Sequence, residues 1–535
     1  MTRLTNLVYS SGTGTLLSIQ YGFDNGDRRT SEMWKNSRNV SYGYDGAYQL
    51  LSGTSTTRPS DNVSYSYDKS GNPLSRLEMG LTSGYTFNNL NQFTSGTWTG
   101  KLTVAGELNY AAGTVTVNGV MGQIFPDRTF EATNVSVSAG SNLLTAVYIG
   151  PAFTNTAMTA TSKVSVTVGN PAFGYDAKGN LTNDAEFTYF YDLANQLTNV
   201  ISKSLGSSVL SAKYDGMGRR VEVTRSGTNV ERYVYFPASF LVLAVLDGSN
   251  QIKEVWSHGP DLSGKLDGAG GIGGVLSVST NVGTASASKY FHGDAQGNVS
   301  LVTGSVGQQV ATYRYTPFGK LIGQVGNYNA RFTFSSKEWD TETGLLYYGY
   351  RYYSPDVGRW LARDPMEEDG VYLLESSGLT IEERIEHSSA LPTGTLYLFV
   401  KNDPIGRIDR FGLKTYTSMA SQYRSVGEWG ALLHHVSNGK PGAFRRLYFN
   451  TLTFPLNCPK CQKVRTQPAA PAACSDCQVI DWNGGSCTVN GHADVSVGTD
   501  LLRSMVRPLQ PLSDALKRLS ETLTISYDCE PCGAP

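Results

Sequence analysis

The 535-residue sequence predicts an all-β protein assembled from many stacked β-hairpins. Three observations lead there. Glycine (58) and tyrosine (31) are abundant while charged residues make up only 17%, the mixture that short aromatic strands joined by tight turns require. A short pattern recurs along the chain: an aromatic residue, then Asp, then Gly or Asn a few positions later. Residues 345–413 form a stretch rich in aromatic residues and punctuated by glycine, with Arg351, Asp364 and Asp409 set among mostly apolar neighbours.

Bulk properties narrow the function classes. With 44 basic and 45 acidic residues the formal charge is -1, so electrostatics predict neither nucleic acid nor an anionic membrane as a partner of the repeats. No apolar run reaches the roughly 18 residues of a membrane helix; the nearest spans residues 239–246. The start, Met1-Thr2-Arg3-Leu4-Thr5-Asn6-Leu7, has no apolar signal-peptide core, and because the repeats begin at once the chain reads as the C-terminal part of something longer.

The first segment, residues 1–95, carries Phe23-Asp24, Tyr44-Asp45 and Tyr65-Ser66-Tyr67-Asp68 with Gly71-Asn72. Each unit reads as a strand end, an Asp that bonds back to the backbone, a turn finished where positive φ is wanted, and another strand. One hairpin cannot hide its apolar face, so many must stack into a continuous spiralling sheet. Phe87-Asn88-Asn89-Leu90-Asn91-Gln92 is a degenerate unit. Over residues 96–170 the pattern gives way to alternating stretches such as Leu102-Thr103-Val104, Val115-Thr116-Val117 and Lys163-Val164-Ser165-Val166-Thr167-Val168. These predict an inserted immunoglobulin-like β-sandwich acting as a passive spacer.

Residues 171–330 return to the repeat at Tyr175-Asp176 with Gly179-Asn180, Tyr191-Asp192 and Tyr214-Asp215 with Gly218-Arg219. His292 and Asp294 in Tyr290-Phe291-His292-Gly293-Asp294 read as turn chemistry, since nothing nearby supplies a nucleophile.

The segment 331–413 contains Tyr348-Gly349-Tyr350-Arg351-Tyr352-Tyr353-Ser354-Pro355, Gly358-Arg359-Trp360, Asp364-Pro365 and the closing Asp409-Arg410-Phe411-Gly412-Leu413. On these motifs, in this order, the chain resembles the RHS-repeat-associated core domain that closes bacterial RHS and YD-repeat shells, which are similar to the teneurin shell and to toxin-complex C subunits. The resemblance implies a fold: an all-β YD-repeat hairpin spiral shell closed by an RHS core, with the inserted sandwich and a small cysteine-rich α+β C-terminal region. It also implies an aspartyl autoprotease that cuts after the closing motif. Carried over by position, the catalytic set is Asp364, Asp409 and Arg351, and the scissile bond is Leu413–Lys414.

Physical chemistry supports such a role. Two neighbouring carboxylates share a proton, so the ionised one can draw a proton from water while the other polarises the carbonyl under attack. Arg351 would set their charge balance or steady the oxyanion, and Gly412 would let the backbone approach. Two departures from the family pattern stand out: Arg410 replaces its Pro, and residues 366–391 lengthen the link between the two aspartates. On the other reading, Arg351 only forms buried ion pairs and the core merely closes the shell.

All seven cysteines lie in residues 414–535. Cys458-Pro459-Lys460-Cys461 and Cys474-Ser475-Asp476-Cys477 have the spacing of a four-thiolate zinc site, and Cys529 and Cys532 with Cys487 or His492 could build another. Disulfides in a secreted domain are the rival reading. His492-Ala493-Asp494 with Cys529-Glu530-Pro531-Cys532 vaguely resembles a zinc-deaminase signature, but Asp stands in place of its Glu and no Pro precedes Cys529, so a structural zinc module is the better reading. Helices are expected over residues 426–436 and 513–523.

The resulting functional expectation is a secreted or cell-surface shell that encloses its own C-terminal region and releases it as a toxin-like effector. An immunity protein and delivery machinery are the implied partners, and the shell needs no cofactor. A non-catalytic adhesion or scaffold protein with an uncleaved tail is the alternative.

Overall fold

The structure is a computed structural model that describes residues 4–365, apart from 13, 36–37, 109, 154–155 and 281–287, and then residues 396–413. Beyond these it describes only the strand segments 415–417, 431–434, 444–455, 462–468, 478–482, 486–496 and 525–531. The chain divides into two compact units, one of residues 1–371 with 385–418, the other of 372–384 with 419–535.

The first unit is built by the local grammar of the hairpins. Nine strands, from Asn6–Ser11 to Phe93–Gly100, pair antiparallel in strict chain order, and fourteen more, from Gly174–Tyr175 to Leu321–Val325, do the same. At each repeat the Asp organises the turn. Asp68 Oδ1 accepts the amides of Ser70 and Asn72 (both 2.8 Å), its Oδ2 accepts the Asn72 side chain (2.8 Å), and Gly71 closes the turn at φ 82°. The same set recurs at Asp176 with Asn180 and at Asp294 with Asn298. The ladder register shifts just before the Asp, between Ser66 and Tyr67 and between Lys213 and Tyr214, the bulge that turns the strand sharply.

In several repeats the tyrosine acts on the strand before it. Tyr67 donates its hydroxyl to the Leu50 carbonyl (2.8 Å), Tyr214 to Leu197 (2.6 Å), Tyr235 to Arg220 (2.7 Å) and Tyr315 to Val299 (2.9 Å). Phenylalanine would fill the same volume without this bond.

Between the two long sheets, the strands Leu102–Glu107, Thr129–Val135, Val120–Ile124, Thr114–Val117, Gly140–Phe153 and Thr156–Val168 join in that order into one six-stranded antiparallel sheet. It has its own core around Val115, Val117, Phe130, Ala132 and Tyr148. The chain leaves and re-enters the shell at adjacent points, since Ser95 bridges Ala172 and the Gly96 amide donates to Pro171 (2.9 Å). Buried ions fix the inserted sheet: Arg58 pairs with Asp127 at 2.5 Å, and Arg314 with Glu131 at 3.1 Å and Asp61 at 3.3 Å.

The segment after the repeats forms a small sheet of Glu338–Asp340, Leu345–Tyr347, Tyr352–Ser354 and Arg359–Trp360. Its strand alternation serves two cores at once. Leu346, Tyr348 and Tyr353 pack with Leu50, Val63 and Tyr65 of the nine-stranded sheet, whereas Leu345, Tyr347 and Tyr352 pack with Val200, Val223 and Trp256 of the fourteen-stranded one. A charged cluster fixes its seating, with Arg220 2.6 Å from Asp340 and 2.8 Å from Glu338, and Arg331 2.8 Å from Glu338 and 2.9 Å from Glu231. Such ions, once buried, must be complete to be tolerated.

In the second unit, Ala431–His434, Phe444–Pro455, Ser486–Ser496 and Gln478–Trp482 form one four-stranded sheet, and Gln462–Pro468 pairs with Ile525–Pro531. This corrects the helix expected over residues 426–436, because Ala431–His434 pairs as a strand with Phe449 through Arg446. A short apolar run carries too little periodicity to separate helix from strand, and a long neighbouring strand decides it. The helix expected over residues 513–523 lies outside the described residues. No helix among the described residues is long and apolar enough to cross a membrane.

Candidate active site

The site forms where the small sheet meets the closing motif. Arg351 immediately precedes the strand Tyr352–Ser354, and Asp364 stands just past Arg359–Trp360. Asp409 ends the strand Arg407–Asp409, which turns back into Thr415–Thr417 with Asp409 opposite Thr415. Tertiary packing thus gathers three charged side chains that are distant in sequence, each at most 5% exposed.

Arg351 lies between the two aspartates. Its Nη2 donates to Asp364 Oδ2 at 2.7 Å and stands 3.5 Å from Asp409 Oδ2. Its Nε donates to the Gly412 carbonyl, its Nη1 to Leu396 (3.3 Å), and its guanidinium stacks over Trp360 at 4.2 Å from the ring centre. Asp364 is tied to the same segment by its amide, which donates to the Leu396 carbonyl at 3.1 Å.

Asp409 folds the closing turn around itself. Its Oδ1 accepts the amides of Gly412 (2.8 Å), Leu413 (3.1 Å) and Phe411 (3.3 Å). The carbonyls of this turn are held as well: Arg410 by Lys337 Nζ (2.5 Å), Phe411 by the Tyr350 amide (3.1 Å) and Gly412 by Arg351. The next carbonyl is that of Leu413. Gly412 sits at φ 72°, and a Cβ there would meet the Arg351 Cβ and the Trp360 ring at 3.2 Å, so the turn needs glycine for both conformation and space.

Electrostatics act strongly on Asp409. Burial raises the Asp409 pKa above the ordinary carboxylate range, against the opposing pull of Arg351, the Leu413 and Gly412 amides and Lys337. Asp364 makes the shorter contact to the guanidinium. A carboxyl with a raised pKa beside a second carboxylate is an arrangement that acid–base hydrolysis can use.

The structure therefore brings Arg351, Asp364 and Asp409 together and places Leu413 in the turn that Asp409 organises. Arg410, which replaces the family's Pro, donates from Nη1 to the Gly268 carbonyl and so ties the turn to a glycine-rich loop. His292 is bound to Thr303 Oγ1 (2.9 Å) on the paired strand, its ring tilted 56° to that of Tyr9, while Asp294 accepts the amides of Gln296 and Asn298 in the turn. Lys337 was not singled out by sequence reasoning; the only signal was a lysine between Phe334 and Trp339.

Lys414, Cys458, Cys461, Cys474, Cys477 and Cys532, together with residues 366–391, lie outside the described residues, and Cys487, His492 and Cys529 lie in strands whose side chains are not described. Among the described residues no group of three or more His, Cys, Asp or Glu is placed to hold a metal ion.

Residues 161–405 match the family model described as Teneurin YD-shell. The chain is 33% identical over 202 residues to the tRNA3(Ser)-specific nuclease WapA of Bacillus spizizenii, covering 37% of this chain and 8% of that protein. It is 35% identical over 82 residues to Toxin subunit YenC1 of Yersinia entomophaga, covering 14% of this chain and 8% of that one. The solved TcdB2-TccC3 structure is similar over 76% of this chain and 22% of its own, with 17% identity and a TM-score of 0.34. The chain thus spans less than a tenth of the length of either curated relative. Residues 161–405 are thus of the RHS/YD-repeat shell type, as the Teneurin YD-shell match shows.

Proposed function

We propose that the core cuts its own chain between Leu413 and Lys414 and that the shell then holds the severed C-terminal region as a cargo, released outside the producing cell as a toxin-like effector. The observation that carries this reading is the meeting of Asp364 and Asp409 at one nitrogen of Arg351, with Asp409 wrapped by the turn that leads into the Leu413–Lys414 bond.

In the reaction, Asp364, ionised beside Arg351, takes a proton from water while the hydroxyl adds to the Leu413 carbonyl carbon. Asp409 gives its proton to the carbonyl oxygen. The tetrahedral diol then collapses, the C–N bond breaks, and the nitrogen of Lys414 leaves with the proton that Asp364 had taken. The products are a Leu413 carboxyl group and a Lys414 amine, and Asp409 recovers its proton from the collapsing diol. Water is the only co-reactant.

The family's C-terminal regions are exchangeable, so the reading assigns residues 414–535 the role of effector without a target. An immunity protein in the producing cell and a delivery machinery are its natural partners, and a cysteine-held zinc is the cofactor proposed for that region alone. The test is intact mass and a denaturing gel of the purified chain beside Asp364→Asn and Asp409→Asn. A fragment starting at Lys414 in the wild type and in neither variant supports cleavage. One uncut chain in all three leaves the non-catalytic scaffold as the function.

A further inference from the structure

Lys337 is the buried cation that the closing turn rests on. It lies just after Phe334–Ser336, is 6% exposed, and is absent from the Asp–Arg constellation. Its ammonium donates to two backbone carbonyls from different parts of the chain, Gly270 at 2.9 Å and Arg410 at 2.5 Å. It also lies 5.3 Å from the centre of the Tyr348 ring and 5.8 Å from that of Phe411. Two successive residues of the turn therefore seat on one cation. The glycine-rich loop on its other side is rigid in its own right, because Asp261 Oδ2 accepts the amides of Ala269 (2.6 Å) and Gly271 (3.1 Å).

A lysine is an expensive way to hold two carbonyls, since burying an ammonium among rings and backbone costs more than burying a neutral donor. Its charge has a beneficiary nearby: Asp409 and Lys337 each act electrostatically on the other. The remaining charges facing Lys337 are Asp261 and Asp267 of the glycine-rich loop and Arg410 of the turn.

We propose that Lys337 is a positioning residue for the cleavage: protonated, it pins the Arg410 carbonyl to the Gly270 loop and so holds the Asp409 turn, and with it the Leu413–Lys414 bond, in register with the Asp364–Arg351 pair. The inference rests on the cleavage reading. It adds that the register of the scissile turn depends on a proton that neither aspartate carries. Burial pulls the Lys337 pKa down to about 8, so this proton is lost within an accessible range.

The experiment is a cell-free synthesis pulse-chase of the full chain as wild type, Lys337→Met and Lys337→Arg, with the Lys414 fragment followed on gels from pH 6.5 to about 9.5. Expected are cleavage about 100-fold slower in Lys337→Met, substantial rescue in Lys337→Arg, and a wild-type rate that falls above pH 8. In Lys337→Arg that alkaline fall should move beyond the range, because a guanidinium keeps its proton. Wild-type speed in Lys337→Met overturns the inference and leaves cleavage standing. If Lys337→Met does not fold, Lys337→Arg decides: an alkaline fall at the same pH as the wild type assigns the titration to another group and overturns the inference. Absence of the fragment from the wild type itself removes the cleavage reading, and the inference with it.

Discussion

Asp364 and Asp409 converge on a single nitrogen of Arg351, at 2.7 Å and 3.5 Å, although they lie on opposite sides of the long segment 366–391. Burial raises the Asp409 pKa against the pull of both Arg351 and Lys337, which favours the protonated form of this carboxyl.

The dyad should fail as a unit. Asp364→Asn and Asp409→Asn are each expected to slow cleavage by at least about a thousandfold, because each removes one half of the acid–base couple. Their melting temperatures should stay near that of the wild type. Cells producing the uncut Asp409→Asn chain should also grow better than cells producing the wild type if the tail acts only once severed; equal growth would separate cutting from toxicity.

Gly412→Ala tests the turn rather than the charges. Its Cβ would press on Arg351 and Trp360 at 3.2 Å, at a φ of 72° that alanine resists. The strain, about 1–2 kcal/mol, should slow cleavage severalfold and lower the melting temperature slightly. Unchanged kinetics would mean that the turn reorganises before reaction.

Lys337 also predicts a pH signature in stability. Its pKa falls from 10.5 to about 8 on folding. Between these values the unfolded chain binds more protons than the native one, so stability rises with pH, up to about 3 kcal/mol across the window. Below pH 8 the native state bears the full cost of the buried cation. The melting temperature of the wild type relative to Lys337→Met should therefore rise between about pH 8 and 10.5 as the buried ammonium loses its proton. A gap independent of pH would show that the lysine is not charged in the fold.

The repeat tyrosines give a simpler prediction. Tyr214→Phe removes the 2.6 Å bond to the Leu197 carbonyl while keeping the ring, and should cost about 1 kcal/mol. Differential scanning calorimetry on Tyr214→Phe and Tyr67→Phe, singly and together, would show additive losses if each repeat is stapled independently.

Arg220 should be far less forgiving. It is fully buried against Asp340 and Glu338, so Arg220→Met leaves two carboxylates partly uncompensated and should destabilise by about 3–5 kcal/mol. Loosening the small sheet should slow cleavage as well, since Arg351 directly precedes one of its last strands and Trp360 lies in the other.

What the sequence by itself determined is everything that depends on neighbours along the chain. The Asp of Tyr67-Asp68 bonds to residues two and four positions on, and Gly71 supplies the positive φ, so the hairpins and the all-β class can be read directly from the repeat. The motif order around Arg351, Asp364 and Asp409 likewise named the candidate site. Only the tertiary structure decided how these parts meet. The alternation of Leu345 and Leu346 between two separate cores, the capture of Arg410 by Gly268, and the seating of the turn on Lys337 all join residues far apart in sequence. Such contacts leave no local pattern, because a buried charge depends on whatever the fold brings beside it, and a short apolar run such as Ala431–His434 takes its conformation from the strand it pairs with.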